Sequence, residues 1–149
     1  MPNTTLEQNK SLVLEAFDTL FNKRDYAAAE RFWSPDYIQH SAHIAPGREG
    51  LFDLIKSLPP TLKYEPGTIV SDGDFVIVHG RFSDFGLPVH WIAADILRIK
   101  DSILVEHLTR AVRGLPTLRA TRRSSEPSLV STPSLTSGLL STSFSNRYF

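Results

Sequence analysis

Residues 90–107 read HWIAADILRIKDSILVEH and decide the fold. A long apolar run, 90–99, is followed by Lys-Asp-Ser and by a second apolar run, 103–107. Two such runs around a short polar turn are typical of a β-hairpin. In the first strand, the period of two places five residues on one face: Trp91, Ala93, Asp95, Leu97 and Ile99. The stretch therefore predicts paired strands with a carboxylate on an apolar face.

Upstream of this hairpin, the spacing of apolar residues predicts one more hairpin and several helices. Residues 75–82 predict a strand that joins 68–71 through the turn signal Asp72-Gly73-Asp74. Apolar residues at helical spacing predict three helices, over 5–22, 26–33 and 48–58, with a β-prone segment at 36–40. Helices that precede antiparallel strands indicate an α+β fold.

The 149-residue chain has ordinary globular composition, with 41% hydrophobic and 21% charged residues. Sixteen basic and sixteen acidic side chains cancel. This disfavours nucleic acid as a partner, because binding by counterion release needs a basic surface. Without cysteine, the chain has no thiol nucleophile or cysteine-ligated zinc site. Since the first residues are polar and no run of 18 apolar residues occurs, we expect a cytoplasmic protein with no membrane partner.

The composition changes after His107. Residues 1–107 hold ten basic and fifteen acidic side chains, whereas residues 108–149 hold six arginines and one acid. Of the 33 residues in 117–149, 14 are Ser or Thr, and such a segment buries too little apolar surface to offset its ordering entropy. We expect a domain over 1–116, with its last strand ending at His107, and a disordered tail over 117–149. A nucleic-acid or phosphorylation segment is the alternative for the tail.

Polar residues inside the predicted strands are the candidates for chemistry. Asp95 suits a general base that takes a proton from the carbon next to a carbonyl. Alternatively, its face is solvated, or Asp95 pairs with Arg81 or Arg98. His79 and His107 are each more often structural than catalytic on this evidence. By the period of two, His107 shares a face with Ile103 and Val105.

Two further groups of residues bear on ligands. His40 and His43 flank a loop and, with His107, are conceivable as a metal site. Their spacing fits no zinc motif and no matching carboxylate accompanies them, so we expect no metal at these residues. Four aromatic side chains either line a cavity for a flat ligand or fill the core: Trp33, Tyr37, Phe52 and Trp91.

Three segments carry a family resemblance, and they occur in the family's order. Arg31–His40 contains Phe-Trp-Ser-Pro-Asp-Tyr-Ile-Gln-His, Gly47–Leu58 opens with Gly-Arg-Glu-Gly, and Trp91–His107 forms paired closing strands. Together they resemble the SnoaL-like relatives of polyketide cyclases, in the nuclear transport factor 2-like superfamily. The resemblance covers roughly the first 107 residues. It implies a cone-shaped α+β barrel, with N-terminal helices in the concave face of a curved, mostly antiparallel sheet, and a homodimer formed through the sheet's outer face.

The resemblance also implies an activity. Cyclases of this kind close rings by aldol-type chemistry without metal or organic cofactor, so a small hydrophobic carbonyl compound is the expected substrate. Asp95 would be the base, His107 would polarise the carbonyl or relay the proton, and His40 would lie at the pocket mouth. The substrate-binding residues would be Trp33, Tyr37, His43, Phe52 and Trp91.

One departure from the family pattern keeps alternatives open. Relatives carry an Asp two residues after the histidine, where this chain has Thr109. A carboxylate at that position would orient the imidazole and stabilise its charged form. A non-catalytic binding or dimerisation module on the same fold, or a decayed relative with an altered C-terminus, is therefore the alternative to an enzyme.

Overall fold

The structure, a computed structural model, describes the backbone of residues 4–114 and the side chains of residues 5–112. The tail expected over 117–149 lies outside the described residues. Within the described part, none of the helices is both long enough and apolar enough to cross a membrane.

Three helices precede most of the sheet. Helix α1 (Thr4–Phe17) continues into a π-helical turn, Asp18–Asn22, so the predicted helix over 5–22 is confirmed. Helix α2 (Tyr26–Ala29) is shorter than predicted, and helix α3 (Gly47–Ser57) lies where 48–58 was expected. The second helix ends early because the chain at Trp33 pairs with a strand instead, and Pro35 could not continue a helical hydrogen-bond ladder.

Five strands form one sheet: β1 (Trp33–Gln39), β2 (Lys63–Asp72), β3 (Phe75–Ser83), β4 (His90–Lys100) and β5 (Ile103–Gly114). Their order in the sheet is β1-β5-β4-β3-β2. Strand β1 is parallel to β5, and every other neighbouring pair is antiparallel. The predicted α+β architecture with a mostly antiparallel sheet is confirmed.

Strand β5 runs well past His107, so the expectation that it ends there is wrong. It continues to Gly114, which pairs with His90 at the start of β4. The prediction ended the strand at His107 because the composition becomes rich in arginine there. Backbone pairing between strands does not require apolar side chains, so the strand continues. Beyond His107, side chains on the outer face, such as Arg110, are exposed, whereas Thr109 and Ala111 on the inner face are partly buried.

A β-bulge corrects the predicted face of His107. Ile99 pairs with Leu104 and Arg98 pairs with Glu106, so β5 has one extra residue, Val105, between them. Leu104 and His107 are consequently both buried, although they are three residues apart. His107 therefore shares the inner face with Leu104, and not with Ile103 and Val105 as the period of two had predicted.

The core lies between the inner face of the sheet and α1 with its π-helical turn. Phe17 at the end of α1 packs edge-on against Tyr64 of β2, with ring centroids 5.2 Å apart. Phe21 in the π-helical turn packs against Phe82 of β3 at 5.1 Å. These rings cover the same face of the sheet that carries Asp95 and His107.

Candidate functional site

Asp95 and His107 meet in the core on the inner face of β4 and β5. Asp95 is 1% exposed and His107 is 4% exposed. The Nε2 atom of His107 lies 2.9 Å from Asp95 Oδ1. Thr109, which pairs with Asp95 in the strand register, places its hydroxyl 2.8 Å from the same oxygen and 2.9 Å from His107 Nε2. The three side chains form one hydrogen-bonded cluster.

The alternative partners considered for Asp95 bind other carboxylates. Arg81 on β3 pairs with Glu65 of β2. Arg98 on β4 pairs with Glu106 of β5, with Nε 2.6 Å from Oε2. Side chains alternate along a strand, so Arg98, three residues after the inward-pointing Asp95, points to the outer face. Arg81 pairs with Ile92, three residues before Asp95, and points to the outer face for the same reason. The predicted apolar face of β4 is therefore the buried one.

Gln39 at the end of β1 fixes the tautomer of His107. The backbone N–H of Ser41 donates to Gln39 Oε1 at 3.0 Å, so the amide group of Gln39 turns its NH₂ toward the imidazole. That nitrogen lies 3.4 Å from His107 Nδ1. An NH₂ group can only donate, so Nδ1 accepts and the proton of the neutral imidazole is on Nε2. His107 therefore donates to Asp95.

The two carboxylate oxygens of Asp95 have different surroundings. Oδ1 accepts hydrogen bonds from His107 and from Thr109. Oδ2 is buried and has no hydrogen-bond partner among the described residues. Buried polar atoms are nearly always partnered in proteins, so an orphan acceptor inside the core calls for a structural or functional explanation. The cluster holds one oxygen in place and leaves the other free.

Aromatic rings lie beside the imidazole that binds this carboxylate. The ring of Phe17 lies 6.2 Å from the imidazole of His107, and the ring of Tyr37 lies 6.4 Å from it. Burial raises the pKa of Tyr37 and of Tyr64 well above the usual tyrosine range, and the negative charge of Asp95 raises both further. Both phenols therefore stay protonated and are hydrogen-bond donors near Asp95.

The other aromatic residues singled out from the sequence lie in two places. Trp33 and Phe52 are buried and pack edge-on against each other at 5.7 Å, between β1 and α3. Trp91 at the start of β4 is half-buried and packs on Phe85 at 4.7 Å. Tyr37 is the member of this set whose ring contacts His107.

The structure does not bring His40 and His43 to the cluster. The side chain of His40 is 44% exposed, and its Nε2 lies 2.7 Å from Glu106 Oε1 on the outer face of β5. Hydrogen bonds from His40 and Arg98 lower the pKa of Glu106 below the usual glutamate range. His43 is exposed in the loop before α3. Across residues 5–112, no group of three or more His, Asp or Glu side chains is placed to hold a metal ion.

Two surface depressions lie away from the cluster. A groove of about 370 Å³ runs along α1 and is lined partly by Glu7, Glu15 and Phe32. A second lies beside Asp84 and Leu87. Neither touches Asp95. On the inner face near Asp95, the side chains of Thr109 and Ala111 are partly exposed.

Sequence reasoning missed Gln39 and Tyr64 as residues of the site. Gln39 was visible in the Ile-Gln-His segment of β1, but a polar residue at a strand end carries no signal of its own. Tyr64 follows Lys63 in a stretch with no distinctive pattern. Thr109 had been noted only as a departure from the family pattern, whereas it hydrogen bonds to both other members of the cluster.

Comparison with family models matches residues 13–107 to the SnoaL-like domain. The chain belongs to the SnoaL-like family. A search of curated proteins finds no significant match. Among solved structures, the chain is similar to a protein from Kribbella flavida DSM 17836, assigned provisionally as a ketosteroid isomerase. The TM-score is 0.64 at 17% identity, over 83% of this chain and 93% of that one.

Two further structures of SnoaL-like fold are similar to this chain. A provisional SnoaL-like polyketide cyclase from Jannaschia sp. CCS1 gives a TM-score of 0.62 at 20% identity, over 74% of this chain and 90% of that one. IdmH from Streptomyces antibioticus, a provisional polyketide cyclase, gives 0.54 at 21% identity, over 68% and 91%. At these identities the likeness establishes the fold, and function must be argued from the site.

Proposed function

We propose that this SnoaL-like protein is a proton-transfer enzyme, an isomerase or aldol-type cyclase, acting on a small, flat carbonyl compound. The observation that carries the proposal is the free Oδ2 of Asp95: a buried carboxylate oxygen with no partner, on a group whose other oxygen is held by His107 and Thr109. A base fixed in this way is already oriented before the substrate binds.

The reaction begins when Asp95 Oδ2 takes a proton from the carbon next to the substrate carbonyl. The electrons of the broken C–H bond move toward the carbonyl oxygen and form an enolate, and Asp95 becomes a carboxylic acid. In an isomerisation, Asp95 then returns the proton to a different carbon. In a ring closure, the enolate carbon attacks a second carbonyl of the same molecule, and the proton goes to the new alkoxide oxygen. Neither route needs a cofactor.

The rings around Asp95 support a flat, apolar substrate. Phe17 and Tyr37 pack beside His107, Tyr64 packs on Phe17, and Asp95 is buried, so little water reaches the carboxylate. Electrostatic interactions with an enolate are stronger in such a water-poor site than in bulk solvent. The ketosteroid isomerase and polyketide cyclase assignments of the structural neighbours belong to the same reaction class, since both act on enolisable carbonyl compounds.

The experiment is exchange of α-protons for deuterium in D₂O, followed by proton NMR, with 2-tetralone as a flat enolisable ketone. The wild-type protein should accelerate exchange, and Asp95→Asn should lower the rate about 10²- to 10⁴-fold, the usual contribution of a general base. Asp53→Asn, which changes an exposed carboxylate paired with Lys56, is the control and should keep the rate. Full activity of Asp95→Asn would refute the role of Asp95. Binding of the ketone without exchange would identify a binding module instead.

We also propose that the protein forms a homodimer through the outer face of the sheet. Val70, Ile77, Ile96 and Leu108 pair in register across four strands and form one apolar row. Val70, Ile77 and Leu108 are exposed. Of the charged groups beside the row, Arg98 is paired with Glu106, and Arg110 is exposed next to Leu108.

Light scattering coupled to size exclusion tests the homodimer. Replacing a central residue of the row, as in Ile77→Lys, should convert a dimer into a monomer, because it would bury a charge in the apolar centre of the interface. His79→Lys, on the same strand face but outside the row, is the control. A wild-type protein that elutes as a monomer at high concentration would contradict the proposal.

A further inference from the structure

The proposed reaction needs a hydrogen-bond donor for the carbonyl oxygen, where negative charge develops. The family resemblance gives this role to His107. In the structure, the N–H of His107 Nε2 is directed at Asp95 Oδ1 and Thr109 Oγ1, and its Nδ1 accepts from Gln39. The neutral imidazole therefore has no free N–H to offer a substrate. Another group must stabilise the enolate.

Tyr64 has the properties that this role requires. It is 2% exposed, and its hydroxyl has no hydrogen-bond partner among the described residues. Its ring packs on Phe17, which also contacts His107, so Tyr64 belongs to the same group of rings as the cluster. Burial and the charge of Asp95 both raise the pKa of Tyr64, which keeps the hydroxyl protonated as a donor.

The hydroxyl of Tyr64 is positioned over Gly80 of β3. A Cβ at Gly80 would collide with this hydroxyl, so only glycine admits the tyrosine in its observed position. Gly80 pairs with Ala93, and Ala93 pairs with Ala111, in the row next to Asp95 on the inner face. On the inner face, the small residues Gly80, Ala93 and Ala111 therefore lie between Asp95 and the next pair of residues, Phe82 and Trp91. The Tyr64 hydroxyl lies at the Gly80 end of this small-residue row.

We propose that Tyr64 is a further catalytic residue, whose hydroxyl donates a hydrogen bond to the substrate's carbonyl oxygen while Asp95 Oδ2 takes the proton. The two unpartnered atoms are a donor and an acceptor, and the small residues Gly80, Ala93 and Ala111 form the neighbouring row on the inner face. In the proposed complex, a flat, conjugated ketone lies over Ala93 and Ala111 with its oxygen at Tyr64. The assignment rests on the proposed function. It makes Tyr64, and not His107, the residue that donates a hydrogen bond to the enolate oxygen.

Tyr37 is the other buried phenol near Asp95. Its oxygen accepts from Gln39 Nε2 at 3.5 Å and faces the indole N–H of Trp33, so its surroundings already supply donors. The Tyr64 hydroxyl has no partner among the described residues. Because the proton of Tyr37 is also uncommitted, Tyr37 is the competing donor that the test must distinguish from Tyr64.

Tyr64→Phe tests the assignment, because it removes the hydroxyl and keeps the ring. The exchange rate of 2-tetralone should fall about 10²- to 10³-fold, the usual cost of losing one oxyanion donor. The melting temperature should stay the same or rise, since the variant removes an unsatisfied buried polar group. Tyr26→Phe is the matched control and should change neither quantity. A purely structural tyrosine would instead lose stability and rate together. Loss of rate in Tyr37→Phe but not in Tyr64→Phe would overturn the assignment.

A second measurement decides the assignment even if the protein turns over no ketone. In the Asp95→Asn background, which removes the negative charge, the 4-nitrophenolate anion serves as a flat coloured mimic of an enolate. Absorbance titration should give a Kd at least ten-fold weaker for Asp95→Asn/Tyr64→Phe than for Asp95→Asn alone. Equal affinities, or no binding by either protein, would overturn the role of Tyr64. Failed exchange with a preserved affinity difference would reject the proposed reaction and keep Tyr64 as an anion donor.

Discussion

Two neighbouring residues of β5, Glu106 and His107, belong to two histidine–carboxylate pairs on opposite faces of the sheet. On the outer face, His40 Nε2 lies 2.7 Å from Glu106. On the inner face, His107 Nε2 lies 2.9 Å from Asp95. The pairs have the same chemistry and nearly the same length. They differ in burial and in what the second carboxylate oxygen binds.

The second oxygen decides what each pair can do. Glu106 uses both oxygens within the protein, since Oε1 faces His40 and Oε2 accepts from Arg98. Asp95 uses Oδ1 alone and keeps Oδ2 free in the core. The outer pair is a solvated ion cluster of the kind that contributes little to stability. The inner pair has an oriented, unoccupied acceptor, which is what a general base requires.

The largest expected difference between the pairs is in stability. His107→Leu should cost about 3–5 kcal/mol of unfolding free energy, because it leaves a buried carboxylate without one of its two partners. His40→Leu, the matched change on the outer face, should cost less than about 1 kcal/mol. Urea denaturation of both variants measures the two costs. Equal costs would show that burial does not distinguish the pairs.

Replacing Gln39 should show how much the orientation of the His107 imidazole contributes to the reaction rate, apart from its contribution to folding stability. In Gln39→Leu, Nδ1 of His107 loses the donor that fixes its tautomer, so the imidazole can donate from Nδ1 and release Asp95. We expect the exchange rate to fall about ten-fold or more, as for other residues that orient a functional group through a second one. The value of kcat should fall while KM stays the same, whereas loss of a merely structural glutamine would lower stability and leave kcat of the folded protein unchanged. An unchanged kcat would contradict the positioning role.

Thr109 should contribute through its hydroxyl. Thr109→Val keeps the shape and β-branching of the side chain but removes one of the two hydrogen bonds to Asp95 Oδ1, at a cost of about 1–2 kcal/mol. Thr109→Ser keeps the hydroxyl and is the control, with a smaller loss. Thermal unfolding of the two variants gives the comparison. A larger loss in the serine variant would show that Thr109 acts through packing.

The smallest expected effect is on the outer pair and depends on pH. Hydrogen bonds from His40 and Arg98 lower the pKa of Glu106 in the folded state. The ionised carboxylate therefore stabilises the folded state above the unfolded-state pKa of glutamate. This stability is lost as pH falls through the lowered folded-state pKa. Glu106→Gln should cost less than about 1 kcal/mol at pH 7, and the difference should vanish in acid. A difference that persists at low pH would exclude an ionic origin.

The sequence predicted the fold and the residue that the proposal makes the base, because both follow from regular patterns. Alternation along β4 placed Asp95 on the apolar face, and the structure buries it there. The bulge at Val105 could not be predicted, since one extra residue leaves no mark in a uniformly apolar run. Gln39 and Tyr64 were missed because their positions depend on how β1 and β2 lie relative to β4, which local patterns do not encode.

The exchange of 2-tetralone α-protons by Asp95→Asn and by Glu106→Gln, in one assay, tests the central claim most directly. Both variants neutralise a carboxylate bound to a histidine. We predict that Asp95→Asn loses about 10²- to 10⁴-fold in rate and that Glu106→Gln keeps the wild-type rate. Equal rates in the two variants, at any level, would contradict the claim that the free oxygen of the inner carboxylate is the base.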